Sequence, residues 1–448
     1  MNLSTRLMPR PRAEGRGLFS AINAGERLGS SPPFHPVTLT VLRIRRVGLT
    51  VLMMATLCST ISRVAADPSV EVFTRKGKVT SPALFPYAPR FSVLIGGGYD
   101  DNVKTTTGGT GSAFTNAHVS LSKDLHTART QLTVGIGAGV VYYFDRASGG
   151  TKVTSNLDVS LKHKVSQRLT LSAVIDAAFR TEPDFGTDLG PQRRANYFRT
   201  TDTLTASYLW SPRFSTNSSY ILRSVEYEEA VLSAGQDRVE QTFEESFRFR
   251  WSPRTTLVAD YRFGLVDYDS SPRDSSTHTA LGGLDYQFNP QLKATVRGGA
   301  TFRTYENEAN GKQTNPYASA SLNYVLGHST SLHWTARYSI EEPNSAVALS
   351  RTTLRTGLVL KYAFTKRLTS HLALNYNHNV NVGLLGLPGA ERPESTEDLV
   401  YLGVGAKYAM SKRVSLDFGY AHTELDSESR ANGGYTRNRY SAGLTLNY

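Results

Sequence analysis

The sequence predicts an all-β fold: a transmembrane up-and-down antiparallel β-barrel of about 18 strands, with 16 as the alternative. Three observations predict it. Long segments alternate strictly between apolar and polar residues, short polar turns recur every 37 to 46 residues, and the chain ends in an alternating segment with a terminal aromatic residue. The aromatic content of 10%, led by 23 Tyr and 19 Phe, favours sheet over helix.

The first 66 residues are predicted to be a basic leader that ends in a secretory signal peptide. Three arginines at positions 43, 45 and 46 precede an apolar run over residues 47–61, and a pair of alanines ends at Ala66. This order is typical of a signal peptide cleaved after Ala66. An uncleaved helical anchor is the alternative, but the apolar run is short and is interrupted by Thr and Ser. Residues 67–89 would then form a short periplasmic segment before a barrel over 90–448.

Net charge and cysteine content exclude two classes of protein. The formal charge is +12, but residues 1–66 hold nine Arg and two Glu, a net of +7, so 12 − 7 = +5 remains for the other 382 residues. A nucleic-acid partner is therefore not expected. The single cysteine is Cys58, inside the predicted leader. Disulfides and thiolate metal sites are thereby excluded from the mature chain.

The turns are the clearest repeat in the sequence. Trp-Ser-Pro-Arg stands at 210–213 and again at 251–254, and six further copies with triplets such as Asn-Pro-Gln, Thr-Lys-Arg or Ser-Lys-Arg share the pattern. Pro, Ser and Asn supply the geometry of hairpin turns. Each period has room for two strands of about 13 residues and one loop, whereas a propeller blade would need four short strands. Eight such turns give 2 × 8 + 2 = 18 strands.

The segments between turns have one apolar and one polar face. Over 255–267, Leu257, Tyr261 and Leu265 fall on one face, while Asp260 and Arg262 fall on the other. The predicted strands are 90–100, 112–123, 129–145, 152–164, 168–180, 196–210, 213–226, 237–251, 255–268, 277–288, 291–305, 314–326, 331–341, 349–364, 368–381, 396–410, 414–425 and 434–448.

A membrane barrel explains these strands better than a soluble sandwich. Strands of 12 or more residues match a tilted bilayer crossing. The turns alternate between short and long, as periplasmic turns and extracellular loops do. Aromatic residues cluster beside the short turns, as an interfacial girdle would: Tyr208, Trp210, Phe249, Trp251, Tyr286, Phe288, Tyr324, Tyr362, Phe364 and Tyr408.

The C-terminal segment "YSAGLTLNY" has the form of an assembly signal. Tyr440, Leu444, Leu446 and Tyr448 fall on the outward face, and the chain ends on the last of them. This resembles the signal by which the barrel-assembly machinery recognises outer-membrane proteins. The alternative is an ordinary terminal strand. Outer-membrane lipid and that machinery are thus the expected partners, with a small anionic solute or saccharide.

The polar face predicts the lining of a channel. Basic groups predominate on it, which favours anions or acidic saccharides if the lumen is open. The alternative is that the charges pair across neighbouring strands and only hydrate the lumen. The predicted lining residues are Arg248, Arg250, Arg262, Lys293, Arg297, Arg303, Arg337, Arg355, Lys361, Asp260 and Asp417, with Glu240, Glu244, Asp285, Lys407, Arg437 and Arg439 on the same face.

The loops argue against a narrowed channel. The longest connections, near 101–111, 181–195 and 382–395, are modest for a constriction loop folded into the lumen. Residues 67–89 are too short for the plug domain of an energy-coupled transporter. The competing functional class is a scaffold barrel whose lumen is occluded.

The stretch "LIGGGYDDNVKTT" at 94–106 carries a family resemblance. A first strand that ends in Gly-Tyr-Asp-Asp-Asn-Val, followed by two-strand repeats over about 90–448, resembles an outer-membrane β-barrel porin family of Gram-negative bacteria. Some members are associated with exopolysaccharide or capsule biosynthesis loci. The resemblance implies the fold and the outer-membrane location, and a porin-like channel for small solutes or saccharides linked to exopolysaccharide export.

Metal and catalytic sites are not predicted. Asp100, Asp101 and Asn102 suit a turn, and they are too few ligands by themselves for calcium. An enzyme site at the rim is the third functional class, with His378, or His422 near Asp426, as its candidates. The ten histidines show no metal-ligand spacing. We therefore expect no catalytic residue, no metal and no cofactor.

Overall fold

A computed structural model describes residues 89–145, 150–185, 193–384, 393–428 and 433–448. Each strand pairs antiparallel with the next in sequence, and β1 pairs with β18 to close the ring. The barrel and its count of 18, rather than 16, are confirmed. The strands are β1 Arg90–Asp100, β2 Ser112–His126, β3 Thr130–Tyr143, β4 Thr151–Lys164, β5 Leu169–Arg180, β6 Tyr197–Leu209, β7 Phe214–Tyr227, β8 Arg238–Arg250, β9 Thr255–Tyr268, β10 Ser275–Asn289, β11 Leu292–Tyr305, β12 Lys312–Leu326, β13 Thr330–Glu341, β14 Ala348–Ala363, β15 Leu368–Gly383, β16 Glu394–Ala409, β17 Val414–Ser427 and β18 Tyr435–Asn447.

Every predicted strand is present, and no end differs by more than three residues. The largest difference is in β2, which was predicted to end at 123 and ends at His126. The prediction that residues 1–66 are a leader cleaved after Ala66 lies outside the described residues, as does all but the last residue of the 67–89 segment. Two short helices in the extracellular loops were not predicted: α1 (Ala230–Gln236) and a 3₁₀ turn (Glu308–Asn310).

The short turns are held by their first polar side chain. The hydroxyl of Ser211 accepts hydrogen bonds from the backbone N–H groups of Arg213 (3.3 Å) and Phe214 (3.1 Å). Ser252 in the second Trp-Ser-Pro-Arg copy does the same, and so do Ser166, Thr365 and Ser411 in their turns. Asn289 uses its amide oxygen in the same way. A side-chain acceptor at the first position is therefore the shared requirement of this turn.

Apolar side chains face outward along most of the barrel. Ile95, Ile136, Val296 and Phe302 are each at least half exposed on the outer face of their strands. Aromatic pairs stand beside the short turns, including Tyr208 with Trp210 (ring centroids 4.5 Å apart) and similar pairs in β8, β10 and β14. This arrangement is a lipid-facing band with an interfacial girdle. No helix among the described residues is long and apolar enough to cross a membrane.

Buried apolar residues lie inside the extracellular half of the barrel, where strand ends meet the loops. They form three separate clusters: Phe185, Ala373, Leu399, Tyr401, Leu425 and Tyr435; Ala195, Tyr197, Val225 and Tyr227; and Val103, Phe114 and Tyr143. Loop residues contribute to each of them. The loops are thus packed against the inner wall.

The C-terminal residue lies at the seam of the barrel, which leads to the first prediction. The backbone of Tyr448 exchanges two hydrogen bonds with Phe91 of β1 (2.8 and 3.2 Å). Deleting Tyr448 should lower the amount of folded protein in the outer membrane, because the seam loses both bonds and the terminal aromatic signal. Heat-modifiable migration of outer-membrane fractions would measure it, with Phe288→Ala as a girdle control. Unchanged assembly would contradict the assignment of an assembly signal.

Candidate functional site

One stretch of the inner wall gathers six of the predicted lining residues, five basic ones and Asp260. Along β8 to β11, strand pairing puts Arg248, Arg250, Arg262, Lys293 and Arg297 on the inner face. Glu244, Asp260 and Asp285 lie among them on the same face. We call these eight side chains the basic wall. It has five positive and three negative groups, so it carries an excess of two positive charges.

The carboxylates of the basic wall are each engaged by cations. Asp285 is shared by three of them, at 2.6 Å from Arg297, 3.6 Å from Lys293 and in a short contact with Arg248. Asp260 lies 3.3 Å from Arg297. Charges therefore pair across neighbouring strands, as the alternative interpretation of the sequence had it. The excess positive charge remains after that pairing.

A polar cavity of about 290 Å³ opens on the basic wall. Glu244 and Arg262, which form an ion pair of 2.8 Å, lie at its edge. Uncharged polar side chains of β6 to β8 complete the lining: Thr205, Asn217, Ser219 and Ser246. Cations and hydroxyl or amide groups thus face the same space.

The other predicted lining residues lie elsewhere on the inner wall. Arg337 and Arg355 both contact Glu341 at the extracellular end of β13, at 2.6 and 3.0 Å. Arg303 contacts Glu342 in the loop that follows, at 2.7 Å. Of the remaining two residues, Asp417 lies on β17, 3.2 Å from Lys407. Lys361 lies on β14, opposite Ser331 and His371.

Residues 181–185 of the β5–β6 loop reach across the mouth of the barrel, so the expectation that no loop folds into the lumen was wrong. Phe185 is only 3% exposed, and its ring packs 5.5 Å from that of Tyr401 on β16. Its carbonyl oxygen accepts hydrogen bonds from Arg355 of β14 (2.6 Å) and Asn377 of β15 (3.1 Å). In a ring of 18 strands, β14 and β15 are about half a circumference from β5 and β6. The loop therefore bridges opposite walls.

Ion pairs fix the two ends of this bridge. Glu182 contacts Arg194 (2.9 Å) within the loop and Arg437 of β18 (2.8 Å). Burial alone would raise the pKa of Glu182, but Arg194, Arg437 and Arg439 outweigh it and hold the pKa well below its usual range. Arg194 also donates to the carbonyl of Val103 in the first loop (2.9 Å). The bridge is thus held as an ionised network.

A second cluster packs the other side of the mouth. Arg273, in the β9–β10 loop, donates to the carbonyl oxygens of Ser345 (3.2 Å) and Ala348 (3.0 Å). The hydroxyl of Tyr268 donates to Glu342 (2.6 Å). Burial would raise the pKa of Glu342, but Arg303, Arg238 and Arg273 lower it overall. Loop residues are thus packed against the inner wall at this part of the mouth as well.

The motif that carried the family resemblance forms a loop closed by β18. Asp100 accepts two hydrogen bonds from Arg437, and Asp101 accepts from the backbone and the side chain of Asn438 (2.6 and 2.7 Å). Asn102 holds the turn through Thr106, which its amide contacts at 2.8 and 3.1 Å. Among the described residues, no three His, Cys, Asp or Glu side chains are grouped to hold a metal ion.

The two rim histidines bond to groups other than a nucleophile. His422 Nδ1 lies 2.8 Å from the amide oxygen of Asn438, so its partner is Asn438 and not Asp426. His378 Nδ1 lies 2.9 Å from Asp398, which also accepts from Tyr376 (2.7 Å). All these groups lie on the outer face of their strands. They form two polar clusters at the extracellular edge of the lipid-facing surface.

The loop residues Glu182, Phe185 and Arg194 are the part of the site that the sequence did not predict. One signal was present: Phe185 is a large apolar residue inside the polar segment "TEPDFGTDLGPQRRA". An isolated aromatic residue in a long loop needs a surface to cover it. Which surface does so depends on contacts across the barrel.

Comparisons with known proteins give a family match over the barrel and distant similarities to solved structures. Residues 87–448 match the family described as "Putative beta-barrel porin 2". Among solved structures, Pseudomonas aeruginosa OccK2 (OpdF) in complex with glucuronate has 12% identity and a TM-score of 0.43, covering 80% of this chain and 98% of that one. Pseudomonas aeruginosa OccK1 (OpdK) has 9% identity and a TM-score of 0.43, covering 80% and 99%. Acinetobacter baumannii OccAB4 has 11% identity and a TM-score of 0.39, covering 80% and 98%.

A comparison with curated proteins gives no match. The family match spans the whole barrel, from before β1 to the last residue. With a closed ring of 18 antiparallel strands and a lipid-facing apolar band, the molecule is a porin-like barrel of the outer membrane. The chain belongs to this family of β-barrel porins.

Proposed function

We propose that this barrel is a diffusion channel for small anionic solutes, acidic saccharides among them. The observation that carries the proposal is the positive excess of the basic wall, three of whose arginines, Arg248, Arg262 and Arg297, line a cavity in the lumen. The bridging loop limits the size of what passes. Exopolysaccharide export remains an expectation of the family resemblance alone.

Electrostatics favour anions at the basic wall. Its three carboxylates are already held by arginines and Lys293, so an entering cation would have to compete with fixed positive groups. Arg250 has no carboxylate partner among the described residues, and its side chain is exposed. An unpaired guanidinium in a low-dielectric channel wall raises the local concentration of anions.

The cavity suits a ligand with a carboxylate and several hydroxyl groups. Arginine binds carboxylates through two parallel hydrogen bonds. Ser, Thr and Asn side chains on the facing strands can exchange hydrogen bonds with hydroxyl groups. The volume of about 290 Å³ lies at the lower end of the range of about 300–1,000 Å³ that is typical of small-molecule sites. A single acidic sugar is of suitable size.

The test is the conductance of the refolded protein in a planar bilayer under a salt gradient. Stable steps with a reversal potential of the anion-selective sign are expected. Addition of glucuronate, used as a probe acid sugar, should reduce the current more than an equal concentration of glucose does. Cation selectivity, or equal effects of the two sugars, would contradict the proposal.

One observation favours a second function, a scaffold barrel with an occluded lumen. The bridging loop and the Glu342 cluster both pack the mouth with buried ion pairs. Absence of conductance from protein that is folded, as judged by heat-modifiable migration, would support the scaffold. No catalytic role is proposed for either function.

A further inference from the structure

The outer wall is polar in one place where it should be apolar. On β6 to β8, Asp202, Ser218, Tyr220, Gln241 and Glu245 alternate with the inward-facing residues and therefore point outward. The lipid-facing band elsewhere on the described strands carries no Asp, Glu, Lys or Arg in its central rows, and its ionisable groups lie near the strand ends. We call these five side chains the polar patch.

The polar patch lies deep in the apolar band. Glu245 is the third outward residue from the periplasmic end of β8, between the exposed rings of Phe243 and Phe247. Asp202 is the fourth outward residue from the periplasmic end of β6. Both carboxylates are therefore several residues above the aromatic girdle that Tyr208 and Phe249 mark.

Hydrogen bonds inside the patch leave the amide donors of Gln241 free and one buried oxygen of Asp202 unpaired. Thr200 donates to Asp202 (2.8 Å), but the second carboxylate oxygen of Asp202 is buried and has no hydrogen-bond partner among the described residues. Tyr220 donates to the side-chain oxygen of Gln241 (3.0 Å), which leaves the amide N–H groups of Gln241 free to donate outward. Hydrocarbon chains can satisfy none of these groups.

A surface of small residues adjoins the polar patch. Outward positions on β9 to β11 are filled by Ala259, Ala280, Gly282, Gly298 and Ala300, which strand pairing places side by side. A Cβ atom on Gly282 would meet nothing within 4 Å, so neither packing nor backbone strain requires glycine there. A glycine facing outward without such a reason lets another protein backbone approach closely.

We propose that the outer wall of β6 to β11 is the interface with a second copy of this chain. The polar patch offers an acceptor at Glu245 and donors at Gln241 and Ser218, so it is complementary to itself, while Asp202 lies buried behind them. A two-fold axis along the membrane normal keeps depth constant, so polar groups of one copy meet polar groups of the other. A partner with a purely apolar wall would leave the Glu245 carboxylate unpaired.

Disulfide cross-linking in outer membranes tests the interface. Ser218→Cys, in a chain whose Cys58 is replaced by serine, should give a disulfide-linked product of twice the chain's mass on oxidation. Ala117→Cys is the matched control, because Ala117 points outward on β2, away from the proposed interface. The control should stay monomeric. Equal cross-linking of the two variants, or a Ser218→Cys product of any other mass, would overturn the proposal.

A second measurement separates an interface from a lipid-exposed defect. The double substitution Gln241→Leu and Glu245→Leu should weaken the dimer about tenfold in sedimentation of the detergent-extracted protein, because interfacial hydrogen bonds are lost. Gly282→Trp should weaken it as well. Heat-modifiable migration checks that each variant folds. A monomeric wild type, or a dimer unaffected by all three substitutions, would contradict the inference.

Discussion

Replacing Phe185 by alanine should open the channel. The ring anchors the bridging loop in a buried apolar cluster at the opposite wall. Removing a buried phenylalanine side chain costs about 3 kcal/mol or more. A loss of that size raises the population of the released loop by about a hundredfold. Single-channel conductance and current noise should both increase.

Phe302→Ala is the matched control for this experiment. It removes the same side chain from the outer face of β11, where Phe302 is half exposed and touches no lumen element. Its conductance should equal that of the wild type. If Phe185→Ala and Phe302→Ala conduct alike, with both proteins folded, the loop does not narrow the channel.

The ion pairs of Glu182 give the same loop a defined pH dependence. The pKa of Glu182 is lower in the folded protein than in the unfolded chain. The ionised side chain therefore stabilises the docked loop fully above the unfolded pKa of about 4.3, and this stabilisation is lost as the pH falls through the lowered pKa. The loop should therefore stay docked between pH 5 and 8. Glu182→Gln should raise the conductance equally at pH 5 and at pH 8. A conductance difference that appears only at one of these pH values would contradict this assignment.

Reversing two charges of the basic wall should invert the ion selectivity. Arg250→Glu with Lys293→Glu changes five positive and three negative groups into three and five. Both side chains are exposed to the lumen, and Lys293 keeps half of its surface accessible, so folding should be unaffected. The reversal potential in a salt gradient should change sign from anion to cation preference.

Lys123→Glu is the control for selectivity. Lys123 points outward near the periplasmic end of β2, so the substitution changes the charge of the protein without changing the lumen. Its reversal potential should match that of the wild type. Equal shifts in the control and in the double variant would place the selectivity outside the basic wall.

The sequence determined the barrel because its signals are local. A two-residue period, a side-chain acceptor such as Ser211 at the start of most short turns and aromatic residues beside it act over a few positions. Counting turns therefore gave the strand number, and alternation gave the face of residues such as Arg262 and Asp260. The two Trp-Ser-Pro-Arg copies proved to be architectural, and their serines hold the turns.

Only the tertiary structure decided how the lumen is used. The loop at 181–195 has ordinary length, and the course of residues 181–185 follows from Phe185 meeting Arg355 and Asn377, which are about 170 and 192 residues away in sequence. The tertiary structure likewise decides which charges of the basic wall pair across strands, as the three cations around Asp285 show. The outward position of Asp202 and Glu245 follows from the two-residue period, but register decides that Gln241 lies level with Asp202 and that Ser218 lies beside Glu245. Local periodicity specifies strands, whereas closure of the ring specifies which distant side chains meet.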